Sequence, residues 1–255
     1  MTGMEERTQL QEEVERVIAY SGTVSHDSDD LFEQVGDLVR RDPAAAMAIG
    51  ESLMASSEID RLEMAVRLVG VAAELDRPTL RARALPTLRR VLEANAEPGP
   101  LSWAILELGH LADEHARDAI LVHARHSESQ VRHAVAFALP ACGLDDSSLA
   151  ALCDLSQDED EDVRDWATFG LGELTDADSP AIRDALIAHV EDSDYETRIE
   201  AIIGLARRQD ERVRPHLVRE LADPDHAEML DDATDYLDNG TGRIWWEEDP
   251  EHEAI

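Results

Sequence analysis

Apolar residues recur at helical spacing through almost the whole chain. Leu10, Val14, Val17 and Ile18 form one stripe, and Leu31, Val35, Leu38 and Val39 a second. Asp42 before Pro43 predicts a third helix start, because aspartate caps free backbone amides and proline at the first helical position gives up an N–H that has no partner there anyway. Pro78 and Pro180 mark further starts. No strand-like alternation of useful length occurs. Helices this short need neighbours to bury their apolar faces, and the sequence supplies them by repetition. The segments Val131-Arg132-His133-Ala134-Val135, Val163-Arg164-Asp165-Trp166-Ala167 and Thr197-Arg198-Ile199-Glu200-Ala201 align on their arginines. Three residues on stand Val135, Ala167 and Ala201; seven on stand Leu139, Leu171 and Leu205. Degenerate copies begin at Arg61, Leu101 and Leu230, with Met64/Leu68, Ala104/Leu108 and Ala233/Leu237 at those positions. The six anchors are 40, 31, 32, 34 and 32 residues apart, which predicts a repeat of two short helices.

The first helix of each pair is expected near 115–126, 146–156, 179–191 and 211–222. Ser127…Gln130 and Ser193…Glu196 read as capping boxes five residues before their arginines. The domain organisation follows: capping helices over 1–42, six helix pairs over 43–239, and an acidic tail over 240–255 that carries Trp245 and Trp246.

These residues resemble the HEAT-repeat family, in its short bacterial and archaeal form, which also occurs in phycobilin-lyase-like proteins. The shared pattern is a turn aspartate followed by V-R-x-x-A-x-x-x-L. It is met by Asp158, Val163, Arg164, Ala167 and Leu171, and again by Asp192, Arg198, Ala201 and Leu205 with Thr197 in place of valine. The copy at Arg132 has His126 at the aspartate position, and the last copy has Pro224 there and Leu230 for the arginine. The match is good over 115–208, weak over 43–112, and absent over 1–42. The resemblance implies an all-α, right-handed α-solenoid, and a ladder between repeats in which Asp158, Asp192, Arg132, Arg164 and Arg198 are structural. It specifies the fold more than the function, since such proteins include scaffolds, transport receptors and a few enzymes.

Composition narrows the function. The chain has 57 acidic residues, 23 arginines and no lysine, for a formal charge of −34. Residues 1–127 carry 23 acids against 13 arginines, and residues 128–255 carry 34 against 10. Direct binding to nucleic acid or to an anionic membrane surface needs a basic patch and is not expected, which also argues against the DNA glycosylases of this fold. Cys142 and Cys153 make no disulfide framework. No stretch is apolar for long enough to span a membrane, no apolar signal core follows the first residues, and the cytoplasm is the expected compartment.

Catalytic signatures are missing. The run Asp158-Glu159-Asp160-Glu161-Asp162 has Val163 and Phe169 where an EF-hand loop needs glycine and glutamate, so it reads as a solvated helix entrance. Gly50-Glu51-Ser52-Leu53-Met54 lacks the second glycine of a nucleophile elbow. His110, His115, His123, His126 and His133 lie close in sequence, but no cysteine pair accompanies them, and the paired His-Glu dipeptides of the iron-dependent deoxyhypusine hydroxylases shrink here to His252-Glu253. No metal, cofactor or catalytic residue is expected. The aromatic pattern says more. On a wheel of about 100° per residue, positions two and five after each anchor point away from the helix pair's apolar face. They hold Trp103, Phe137, Trp166 and Phe169, then Glu200, Asp232 and Asp235. The competing reading is that the aromatic groups pack between neighbouring repeats. The expected function is a non-catalytic scaffold that binds a protein partner, basic in surface, on the face of the second helices. Trp103, Phe137, Trp166 and Phe169 are the expected anchors, with Asp165, Glu200, Asp231, Asp232 and Asp235 as an acidic rim. A lyase-like enzyme subunit and an acidic nucleic-acid-mimicking inhibitor or immunity protein are the alternatives.

Overall fold

The computed structural model describes residues 3–23, 28–94, 97–227 and 229–239, and among these every regular element is helical. The chain divides into two compact units, residues 1–120 and 121–255. In the first, α1 (Gly3–Ser21) and α2 (Asp29–Arg41) precede α3 (Pro43–Leu53), α4 (Ile59–Leu75), α5 (Arg77–Glu93) and α6 (Pro98–His110). A 3₁₀ turn then leads into α7 (Arg117–Leu121) at the unit boundary. The second unit contains α8 (Ser129–Ala141), α9 (Asp146–Leu155), α10 (Glu161–Gly172), α11 (Pro180–Ile187) and α12 (Tyr195–Arg207). It ends with α13 (Arg214–Glu220), α14 (Pro224–Ala227) and α15 (Asp231–Asn239).

The second helix of each repeat is thus α4, α6, α8, α10, α12 or α15. Within the first unit α4 packs on α3, α5 and α6; within the second, α8, α10, α12 and α15 stand side by side, with α9 and α11 packed on them. The periodic positions form the core. Met64, Leu68, Ala104, Leu108, Val135, Leu139, Ala167, Leu171, Ala201, Leu205, Ala233 and Leu237 are all buried. Asp42 caps α3 by accepting the Ala45 amide at 2.9 Å, ahead of Pro43.

The capping boxes are a correction. α8 starts after Glu128 with no side-chain cap, and α12 is capped by Asp194, which accepts the Thr197 amide at 2.7 Å; neither Ser127 nor Ser193 is the cap. Asp192 decides this. Its carboxylate accepts the Asp194 amide at 3.0 Å and so completes the turn one residue later than a serine cap requires. First helices are also shorter than expected: α7 and α13 each follow a 3₁₀ turn, and α11 ends at Ile187.

The repeat arginines bind their own turn and the next. Arg132 donates to Asp158 through two N–H groups at 2.6 and 2.7 Å, and to the carbonyls of His126 and Ser127. Arg164 does the same with Asp192, at 3.2 and 3.3 Å, and with the carbonyls of Asp158 and Glu159. Arg198 holds the carbonyls of Asp192 and Ser193, and its third partner is Glu220 at 3.5 Å. Burial pushes the Asp192 carboxyl up, but the hydrogen bonds from Arg164, the Asp194 amide and His189 outweigh it and hold the group at about 2. This depressed value stabilises the fold above about pH 4, and the contribution fades as pH falls toward 2.

Candidate recognition surface

The aromatic cluster is built from two neighbouring second helices, α8 and α10. His133 and Phe137 are one turn apart on α8, as are Trp166 and Phe169 on α10, so each pair shares a helix face. The Trp166 ring meets Phe137 edge-on at 4.9 Å and 77°, Phe169 at 5.7 Å and 82°, and His133 at 6.2 Å and 86°. Edge-to-face contacts of this kind contribute about 0.5–1.5 kcal/mol each beyond burial. All four residues are half-buried. The cluster therefore packs between repeats and still presents ring surface to solvent.

Acidic residues adjoin it in the repeat pattern. Asp165 precedes Trp166, and Glu200 occupies on α12 the position that Trp166 occupies on α10. Oδ1 of Asp165 and Oε2 of Glu200 are shielded from solvent and accept no hydrogen bond. Burial, then the charges of Glu196, Asp194 and Asp162, push the Asp165 carboxyl up to about 7. Burial, then a hydrogen bond and charge from Glu173, push Glu200 up to about 10, with Asp165 and Glu196 adding to it. These acids lie in a negative field, and Glu200 is hydrogen-bonded to Glu173.

The raised values fix a pH dependence. An unfolded aspartate releases its proton near pH 4, whereas folded Asp165 keeps it to about 7. The native state binds the extra proton across that window, so Asp165 makes stability fall as pH rises from about 4 to 7. Asp165→Asn is expected to raise the melting temperature at pH 8 and to flatten that part of the profile, as followed by circular dichroism. An unchanged slope would show that Asp165 ionises normally.

The other expected site residues are distributed. Trp103 belongs to the first unit, where the Arg67 guanidinium lies 3.6 Å from its ring centroid and Phe32 packs at 6.3 Å. Between these residues and Glu107 is a cavity of about 20 Å³, room for roughly one water. On α15, Asp232 is half-buried and Asp235 exposed. The side chain of Asp231 and the whole 240–255 tail, with Trp245 and Trp246, lie outside the described residues. His123 is buried, and burial followed by the nearby His126 lowers its pKa. Burial lowers His133 also. Two residues went unnoticed in the sequence: Glu173, buried against Glu200, and Arg208, which donates to the carbonyls at the end of α10. Each acquires its role from a residue that folding brings near it.

A family profile describing HEAT repeats matches residues 85–172 and, overlapping them, 149–238. Protein YibA of Escherichia coli (strain K12) is 40% identical over 93 residues, 36% of this chain and 32% of YibA. The YibA of E. coli O157:H7 gives the same figures. The matched stretch thus spans about a third of these relatives. The X-ray structure of E. coli YibA superposes with a TM-score of 0.68 at 20% identity, covering 93% of this chain and 86% of that one. An engineered protein superposes with a TM-score of 0.60 at 18% identity, covering 90% of this chain and 69% of that one. At these identities the two structures show the fold alone. No helix among the described residues is long and apolar enough to cross a membrane.

Proposed function

The chain belongs to the HEAT-repeat family, and on that premise we propose that it is a non-catalytic cytoplasmic scaffold or adaptor that binds a protein partner of basic surface along the face of its second helices. One observation carries the reading: Phe137, Trp166 and Phe169 form a half-buried ring cluster on α8 and α10, with Asp165 next to Trp166 in sequence and Glu200 at the matching position of α12. An arginine-bearing segment matches both, since guanidinium stacks on aromatic rings and donates to carboxylates. Asp232 and Asp235 act as rim charges that speed encounter rather than hold the complex. Trp103 is a further anchor, and the Arg132, Arg164 and Arg198 pairings stay structural.

The test is selection from a displayed peptide library of balanced charge, followed by titration. Arginine-rich, aromatic-tolerant ligands are expected. Trp166→Ala should weaken them by about 2 kcal/mol, roughly 30-fold. Asp232→Asn should alter mainly the association rate and its salt dependence. Selected ligands without basic residues, or affinity indifferent to Trp166→Ala in a folded variant, would place the site elsewhere.

A further inference from the structure

In the unit of residues 1–120, independently of the surface above, two helices end together with ligand-bearing side chains. Glu107 and His110 are one turn apart on α6. Glu74 stands one residue before the end of α4, which packs on α6. One ligand atom from each of Glu74, Glu107 and His110 lies within 4.8 Å of the other two. We propose that these three side chains form a binding site for a divalent first-row transition ion, with zinc as the representative chemistry.

Four observations support the assignment. The Glu107 side chain is only 2% exposed, and its Oε2 accepts no hydrogen bond. A buried carboxylate is costly unless a charge or donors compensate it. Second, that oxygen is 3.9 Å from His110 Nδ1, too long for a hydrogen bond and about 0.5 Å wider than the roughly 3.4 Å between two ligands of a tetrahedral zinc ion, a gap that side-chain rotation can close. Third, the fold makes room for the carboxylate. A Cβ on Gly70, one turn before Glu74 on α4, would stand 2.2 Å from Glu107 Oε2. Fourth, α4 and α6 both direct their C-terminal ends toward the group, and helix C-termini favour a cation. Exposed Glu74 and half-buried His110 give access from solvent.

The charges around the site set its strength. Arg67 lines the cavity beside Glu107, and Arg77 donates to the His110 carbonyl at 2.6 Å. Both cations oppose a bound ion, so the expected affinity is moderate. Imidazole and carboxylate without thiolate suit zinc, manganese or iron(II) more than copper(I). Three protein ligands leave a tetrahedral ion one position for water or an outside ligand.

The experiment uses the full chain, tag-free and stripped with chelator. Zinc binding is measured by calorimetry, and cobalt(II) supplies the visible bands of a four-coordinate site. One equivalent is expected. His110→Ala and Glu74→Gln should each weaken it about tenfold or more, while His123→Ala leaves it intact. Glu74 is exposed, so its variant keeps the test open even if His110→Ala disturbs the fold. A cobalt spectrum of the hydrated ion alone, or binding that persists unchanged in Glu74→Gln and folded His110→Ala, would overturn the assignment.

Discussion

Gly204→Val is expected to destabilise residues 121–255 by more than about 3 kcal/mol, beyond the usual range for overpacking. The reason is the approach of α10 and α12. A Cβ at Gly204 would stand 2.5 Å from the Gly172 Cα, with the Leu186 methyls at 3.0 and 3.3 Å. The first obstacle is backbone, so no rotamer change relieves it and the two helices must separate. Separation pulls apart Ala167, Leu171, Ala201 and Leu205, all fully buried. Gly204→Ala should show most of the loss. Gly172→Ala should show less, because its Cβ meets the Glu200 carbonyl oxygen at 2.8 Å and the Gly204 Cα only at 3.5 Å. Urea melts with an unchanged slope would give the order. A Gly204→Ala variant as stable as the parent, or more so as alanine's helix propensity alone would predict, would mean that α10 and α12 lie farther apart.

What could be read from the sequence, and what could not, divides at the range of the interaction. Positions three and seven after each anchor are core because helical periodicity is local, and a leucine seven residues on from Arg164 must share a face with Ala167. The Asp42-Pro43 start is legible for the same reason. The caps of α8 and α12 slipped because adjacent polar residues compete: Asp192 and Asp194 divide the turn between them and leave Ser193 outside it. The glycines of α10 and α12 carry no signal in their own repeat, since their reason lies in another. Glu107 stands in no motif, and only folding brings Gly70 and Glu74 opposite it. The wheel did direct attention to Phe137, Trp166 and Phe169, but it could not show that one ring set both packs between helices and faces solvent. It missed Glu173, whose influence on Glu200 exists only across the α10–α12 contact.

Arg208 is the second place where long range decides, and its loss should cost about as much. The side chain is only 9% exposed, yet its donors reach carbonyls instead of carboxylates. Nη2 donates to Leu171, Thr175 and Ala177 at 2.7, 3.0 and 2.9 Å, and Nη1 to Gly204 and Gly172 at 2.8 and 3.2 Å. These carbonyls include the unpaired end of α10, where a cation is favoured. Burial, then Arg207, pull its pKa down to about 10, which still leaves it charged at neutral pH. Arg208→Met preserves the apolar stem but strips the donors from a group of buried oxygens. Each abandoned acceptor costs about 1–3 kcal/mol, and the costs do not simply add, so a loss of about 3–5 kcal/mol is expected. Arg208→Lys should recover only part, because an ammonium has three donors and no planar fork. The control is Arg125, whose bond to Asp154 is short at 2.6 Å but whose side chain is 86% exposed. Arg125→Ala should change stability by less than about 0.5 kcal/mol. If Arg208→Met melts with Arg125→Ala, the carbonyl cluster is hydrated in solution, and the α10 terminus does not depend on this arginine.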